Sequence, residues 1–370
     1  MTRLALRNLF QSKARLVISI GGVALALMLM LSLDAIFAGV EERVVAYINH
    51  TGADLFVSQS GVRNLHMASS WMPASVAEQV GDRPGVDEAT PLLYHSNLVS
   101  VGDERSAAYI IGLPPDPAMG GPWSIAAGRT TPAPGEAILD EGIASTTGVG
   151  LGDEIRILGR TFEIAGLSEG TATQGGSVVF ISQEDFSQLR PGPPVISFVL
   201  VRVRPGADVT TVAEDIEAEI GGVTVLSRPA FASEEQKVVR DMGNDIVAIM
   251  NIIGFMVGLM VMSLTVYTAT LSRRAEYGML KAVGARNGDL YQTVLTQSLV
   301  SVLVGLGIGL GFTLALAAVA PRLDVPLTLV VRPDSVLRVA AASLVIAAVS
   351  AILPIRQIRR LDPVMVFRGR

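Results

Sequence analysis

Four apolar runs dominate the options open to this chain: Leu16 to Phe37, Ile246 to Thr270, Val294 to Val319 and Val336 to Leu353. A helix rises ~1.5 Å per residue and must cross ~30 Å of hydrocarbon, so about 20 such residues make a membrane span. The last run is the shortest, and Arg338 near its start is expected to snorkel outward. Only 17% of the 370 residues are charged and the mean hydropathy is +0.48, which favours a membrane protein over a soluble one. The first run has a rival reading as a signal peptide, because basic residues precede it. Signal-peptide apolar regions run to roughly 7–15 residues, and this run is longer, which favours an anchor.

Charge sets the orientation. Arg3, Arg7, Lys13 and Arg15 precede the first run, Arg273, Arg274, Lys281 and Arg286 lie between the second and third, and Arg356, Arg359, Arg360, Arg368 and Arg370 follow the fourth. Four spans leave both termini on one side, and all three basic clusters then share that side, which the positive-inside rule makes cytoplasmic. The segment between the first two runs is then expected outside; from Val40 to Arg240 it holds 26 acids and 13 bases, a net of −13, an asymmetry that suggests two environments. With no cysteine, neither a disulfide framework nor a thiolate metal site can form.

The outside segment reads as a folded α/β domain over about Thr51 to Arg228. "EIRILGRTFEIAGL" alternates Ile155, Ile157, Phe162 and Ile164 around Gly159-Arg160, which predicts a two-residue hairpin with glycine first. "VISFVLVRVRPG" predicts a strand ended by Pro205-Gly206. "DVTTVAEDIEAEI" places Val209, Val212, Ile216 and Ile220 on one helical face, with Asp208 as N-cap. "VAEQVGDRPGV" (76–86) resembles "VAEDIEAEIGGV" (212–223), an internal repeat of a helix and a strand start whose alternative is chance likeness. Tyr94 to Ser177 predicts a second, β-rich lobe. From Phe231 the chain turns from charged to apolar without proline, a helical stalk leading into the second span.

Between the second and third runs stands "SRRAEYGMLKAVGARNGDL" (272–290). As a helix it aligns Ala275, Met279 and Val283 on one face, with Arg274 and Lys281 opposite and Glu276 among the apolar residues. Gly278, Ala282, Gly284 and Ala285 permit close approach by another backbone. The alternative is an interfacial loop whose bases only satisfy the orientation rule.

"RRAEYGMLKAVGA" resembles the corresponding loop of MacB/FtsX-like ABC transporter permeases. So do the order of one span, a large outside domain and three spans, the segment 128–167 ("GRTTPAPGEAILDEGIASTTGVGLGDEIRILGRTFEIAGL"), and the terminal "RRLDPVMVFR" with Asp362 and Pro363. "GADLFVSQSG" resembles the branch that includes DevC-like and haem-exporting permeases. The resemblance implies a type VII, mechanotransmission-type permease: four transmembrane α-helices with a large α/β extracytoplasmic domain inserted between the first and second. The expected divisions are a cytoplasmic amphipathic N-terminal helix (1–15), spans at 16–38, 241–271, 293–320 and 335–355, an outer domain with stalk (39–240), a coupling helix (272–292), a short outer loop (321–334) and a basic tail (356–370). In the N-terminal helix, Leu6, Leu9 and Phe10 oppose Arg7, Gln11 and Arg15.

The same resemblance implies partners. Two copies of a cytoplasmic ABC ATPase would bind ATP and Mg, contacting Arg273, Arg274, Glu276, Gly278, Lys281, Gly284 and Ala285. A second permease copy would complete a homodimer in the bacterial cytoplasmic membrane, among its lipids. An extracytoplasmic adaptor or outer-membrane channel is a further class of partner. This chain is expected to hold no cofactor, metal or nucleic acid and to be no enzyme. Its only lysines, Lys13, Lys237 and Lys281, are not followed by Ser or Thr, so no phosphate-cradling G-x-x-x-x-G-K-[ST] loop exists. Gly305, Gly307, Gly309 and Gly311 lie in a charge-free span where small residues let helices pack. His50, His66 and His95 lack metal-ligand spacing. Asp34 and Asn251 are the intramembrane polar residues that would contact a substrate; the competing expectations are that Asp34 reaches headgroups and Asn251 serves packing. Met28, Met30, Met250, Met256, Met260 and Met262 would either line an adaptable apolar cavity or serve packing and lipid contact.

Three functions follow as rivals: export of a hydrophobic or amphiphilic molecule, lipid or peptide; FtsX-like signalling to an outside partner without transport; and an anchored binding module indifferent to ATP.

Overall fold

The computed structural model describes residues 13–65, 69–101, 104–173, 176–189, 194–320 and 328–359. The N-terminal amphipathic helix, His66, most of the 321–334 loop and the "RRLDPVMVFR" segment beyond Arg359 lie outside the described residues. The chain divides into two compact units, one of residues 1–39 with 243–370 and one of residues 40–242.

The first unit is helical. Helices α1 (Lys13–Val44), α7 (Arg228–Ser272), α9 (Asn287–Val319) and the pair α10 (Pro333–Ser350) and α11 (Ile352–Arg359) supply four stretches long and apolar enough to cross a membrane. Both α1 and α7 extend beyond this unit; α7 runs for 45 residues without a break, because no glycine pair or interior proline interrupts it. The fourth stretch breaks at Ala351, where the ring of Pro354 meets the level of the Ser350 carbonyl and removes a helical donor.

Helix α1 is the most enclosed of the four, with 56% of its most apolar stretch buried against 17%, 22% and 33% for the others. Its Val23, Leu27, Met30 and Leu31 pack with Met262 and Val266 of α7, Val302 of α9 and Ile346 of α10. Glycine makes this approach possible. A Cβ on Gly309 would sit 3.0 Å from the Ala24 carbonyl and 3.1 Å from the Met28 amide, so the backbones of α9 and α1 touch. Gly305 lies on the same seam, one turn away, against Val23 and Ala24, whereas Gly307 and Gly311 face open space. Of the methionines, Met30 and Met262 are core, while Met250, Met256 and Met260 are exposed on the apolar outside of α7.

The second unit is built on one 11-stranded sheet of central order β13-β1-β12-β3-β4-β10-β6-β8-β5. At one end stand β1 (Leu55–Gln59), β3 (Val86–Val101), β12 (Phe198–Val203) and β13 (Val223–Ser227), with α3 (Ser75–Gly81) and α6 (Val209–Glu219). Their antiparallel order β13-β1-β12-β3 and the sequence strand–helix–strand, strand–helix–strand make a split βαβ pattern. The two repeat segments occupy equivalent places in it, α3 leading into β3 and α6 into β13. They also touch: Arg83 grips Asp215 with two hydrogen bonds of 2.8 Å. Asp208 caps α6 through the Thr211 amide, and Val212, Ile216 and Ile220 are buried.

The remaining strands are β4 (Glu104–Leu113), β5 (Ile125–Gly128), β6 (Glu136–Asp140), β7 (Glu154–Ile157), β8 (Arg160–Ser168), β9 (Ala172–Thr173) and β10 (Gly176–Ser182), with α4 (Glu141–Thr147) and α5 (Gln183–Leu189). They are no separate lobe beginning at Tyr94. The 16-residue β3 pairs with β12 up to Leu92 and with β4 from Leu93 onward, so the expected boundary falls inside one strand. Pro91 is tolerated there because that half of β3 pairs along one edge only. The short β2 (Met72–Pro73) and β11 (Val195–Ile196) form a separate pair, and α2 (Ala46–His50) follows α1.

The β7–β8 hairpin differs from its expected turn. Ile157 pairs with Arg160, so the loop is Leu158-Gly159 and glycine comes second. Both loop residues have positive φ, 48° and 86°, which is a type I′ turn. A register shifted by two would have kept the same side chains inward, so alternation did not distinguish the two turns.

Candidate coupling surface and membrane polar cluster

The loop between α7 and α9 folds as a nine-residue helix, α8 (Arg274–Ala282). Tyr277 and Gly278 are buried; Tyr277 joins the core of the helical unit, and Leu280 and Ala285 pack on it. Lys281 reaches the far end of α11, where its Nζ donates to the Ile358 carbonyl at 2.7 Å and lies 3.5 Å from that of Arg359. A cation on the last carbonyls of a helix satisfies acceptors that have no helical partner.

The opposite face is open. Ala275, Glu276, Ala282 and Val283 are exposed, Met279 is 59% exposed and Val283 is 83% exposed. Glu276 lies at the edge of this apolar strip, 3.8 Å from the largely buried Arg273, while Arg274 is exposed. Gly284 stops the helix. Its φ is +100°, its amide bonds the Lys281 carbonyl at 3.0 Å, and the Ala285 amide bonds the Leu280 carbonyl at 2.9 Å. That pair of bonds is a Schellman motif, and its left-handed position favours glycine. A Cβ on Gly284 would meet open space, so the glycine is needed for its dihedral angle and not for close approach within the chain.

A second polar site joins three helices of the same unit. Asp34 on α1 is 7% exposed; it accepts from Asn251 Nδ2 on α7 at 2.9 Å and from Arg338 Nη2 on α10 at 3.3 Å. Arg338 also donates to Ser335 Oγ at 2.9 Å and pairs with Asp334 at 3.4 Å. Asp34 is therefore buried and paired, contrary to the expectation that it reaches headgroups. Arg338, although its side chain is 66% exposed, turns one nitrogen inward to Asp34. Desolvating a lone carboxylate is costly, and a facing guanidinium and amide offset that cost. The two candidate substrate residues are thus brought together, with an arginine as their third member. Asn251 Oδ1 is buried and has no partner among the described residues.

Among the described residues no cluster of three or more His, Asp or Glu has the placement to hold a metal ion. His50 Nδ1 bonds the Ala46 carbonyl and its ring stacks on Trp123 at 4.6 Å, and His95 bonds Asn97.

Comparison with known proteins matches the family architecture. Residues 16–219 match the MacB-like periplasmic core domain, and residues 248–363 match the FtsX-like permease C-terminal domain. Uncharacterized ABC transporter permeases of Mycobacterium bovis and Mycobacterium tuberculosis are each 24% identical over 367 residues, covering 99% of both chains. The periplasmic region of MacB from Actinobacillus actinomycetemcomitans aligns with 52% of this chain and 96% of its own at a TM-score of 0.38 and 14% identity. With four apolar helices, a large α/β unit and both family domains in order, this chain belongs to the MacB/FtsX-like ABC transporter permeases.

Proposed function

We propose that this chain is the membrane subunit that relays movement of a separate ATPase across the membrane to the α/β unit, driving export of a hydrophobic or amphiphilic small molecule, lipid or peptide. Membership of the family implies the ATPase partner. The observation that carries the reading is α8: one face is fixed to the helical core by Tyr277 and Lys281, and the other presents Met279, Val283 and Glu276 to solvent. A helix so held moves with the spans it is packed on, so a push on its exposed face is transmitted and not absorbed.

In this reading the permease sits in the bacterial cytoplasmic membrane as a homodimer with two ATPase copies, which bind ATP and Mg. The chain crosses four times, with residues 40–242 inserted between the first and second spans on the outer side. The basic residues flanking the helices support that orientation. Glu276, Met279 and Val283 make the central ATPase contact, Arg273 and Lys281 position the helix, and Gly284 ends it.

The test uses the absence of cysteine. A single Val283→Cys in otherwise unchanged permease, treated with a short bifunctional thiol–amine reagent in membranes containing the ATPase encoded with it, should yield a permease–ATPase adduct. A cysteine at Gly307, in the apolar span α9, should not. An adduct at both positions or at neither removes α8 from the contact.

A further inference from the structure

The α/β unit holds a cavity of about 560 Å³, and we infer that it binds a small amphiphile whose apolar body ends in a protonated amine. The inference deepens the export reading by naming a class of cargo, and it rests on that reading only for the step of export. Pockets for small molecules span roughly 300–1,000 Å³. Three segments wall this one: the end of β4 with Pro115, the loop 131–134 leading into β6, and the turn from β10 into α5. Leu113, Pro115, Pro132 and Pro134 supply its apolar wall.

That wall is fixed by the fold itself. Proline sets φ and has no amide donor, so Pro132 and Pro134 stiffen the loop and add no unmet N–H to the cavity. The Ala133 amide donates to Glu136 Oε2 at 3.0 Å, and the Gly135 amide donates to Asp185 Oδ2 at 2.7 Å. Asp185 also accepts from Ser182 Oγ at 2.7 Å, and its own amide donates to that hydroxyl at 3.0 Å. The loop is thereby held to both β6 and α5, and a ligand entering the cavity has little backbone left to order.

The polar side chains on the cavity are uncommitted by contrast. Among the described residues, the Thr131 hydroxyl and the Gln183 side-chain amide make no hydrogen bond. Glu184 accepts only from Gln188 Nε2, at 3.4 Å. An apolar cleft with a few free polar groups is the usual composition of a ligand site. Charge then selects the ligand. The acids on or beside the three segments are Asp116, Glu136, Glu184 and Asp185; the bases are Arg129, next to the loop, and Arg160, which reaches α5 from β8. Arg129 pairs with Glu136 at 3.0 Å and Arg160 with Asp185 at 3.4 Å. Asp116 and Glu184 are left without a cation among the described residues, and Glu184 is the one ionised side chain that lines the cavity. A carboxylate beside an apolar wall favours an ammonium group and disfavours a carboxylate or phosphate. A wholly apolar ligand would cover Glu184 without pairing it.

The experiment titrates three fluorescent probes into the full chain in phosphatidylcholine nanodiscs, with the signal of empty nanodiscs subtracted. The probes are dansylcadaverine, its N-acetyl derivative and dansyl-6-aminohexanoate. They share one apolar ring system and end in an ammonium, an uncharged amide and a carboxylate. Dansylcadaverine should bind at least tenfold more tightly than the other two. Glu184→Gln should bring the three affinities within about twofold of one another. Ser187→Trp, which projects an indole into the cavity from an exposed position on α5, should abolish binding of all three with an unchanged melting temperature. Glu217→Gln, at an exposed position on α6, should change nothing. Equal binding of the three probes overturns the proposal, as does a preference for the amine that survives Glu184→Gln. Equal losses with Glu184→Gln and Glu217→Gln would reveal only general attraction to an acidic unit, and also overturn it. A lysine-bearing amphipathic peptide that binds the cleft tenfold more tightly than dansylcadaverine would make it a docking site for a protein segment instead. Binding is read without ATP or an ATPase, so its failure leaves the coupling role of α8 untouched. Failure of the Val283→Cys adduct likewise leaves the ligand site standing.

Discussion

The Lys281 ammonium of α8 donates to the Ile358 carbonyl at the end of α11, at 2.7 Å. This bond ties the surface proposed to meet the ATPase to the last described helix of the helical unit, 77 residues away in sequence. Replacing Lys281 with methionine keeps the stem and removes the charge and its donors. The loss should cost about 1–2 kcal/mol locally and should uncouple the machine: ATPase binding persists while transport-dependent stimulation of hydrolysis falls. Co-purification together with ATPase assay separates these effects, and equal loss of both would make Lys281 part of the contact itself.

The cluster of Asp34, Asn251 and Arg338 should be structural in the resting protein. Asp34→Ala leaves Asn251 and Arg338 without their shared acceptor, at an expected cost of about 1–3 kcal/mol, read as a lowered melting temperature in detergent. Asp34→Asn should cost less. If Asp34→Ala leaves the melting temperature unchanged but alters cargo export, the cluster is a substrate site instead.

The glycines of α9 make a paired prediction. Gly309→Val forces a branched side chain against the Ala24 carbonyl and Met28 amide, which should cost about 1–3 kcal/mol and reduce the yield of folded protein. A Cβ on Gly311 meets no atom within 4 Å, so Gly311→Val should be tolerated. Size-exclusion profiles of the two purified variants decide the matter.

Acid should loosen the α/β unit at α6. The Thr211 amide and hydroxyl hold the Asp208 carboxyl below its usual range, and the Arg83 guanidinium does the same for Asp215. A depressed folded pKa means that the unfolded chain binds protons first as pH falls. The stabilisation is therefore complete above the unfolded value of ~3.9 and is lost as pH drops through the lower folded value. Melting of the full chain should fall more steeply below about pH 4 than in an Asp208→Ala, Asp215→Ala double variant, which would show a flatter profile.

Local signals were legible in the sequence and long-range pairings were not. Apolar length marked the four helices, and the spacing of Val212, Ile216 and Ile220 marked α6 with its cap at Asp208. The similarity of 76–86 to 212–223 pointed to two units that the structure places side by side, joined by Arg83 and Asp215. The turn at Leu158-Gly159 is not legible in the sequence because a two-residue shift preserves the inward face. The unbroken β3 is hidden because the composition change near Tyr94 resembles a boundary, while partner strands far away in sequence decide which edge of Pro91 needs a donor. Asp34, Asn251 and Arg338 each stand out singly in the sequence, but their convergence spans 217 and 304 residues of sequence, and no local pattern encodes it.

Purifying the permease from native membranes in mild detergent, as wild type and as Glu276→Lys, decides whether α8 is the coupling surface. The prediction is a stoichiometric ATP-hydrolysing subunit with the wild type, and its loss from a Glu276→Lys protein that inserts and folds normally. A variant that retains the subunit at full stoichiometry and activity would contradict the assignment of α8 as the coupling surface.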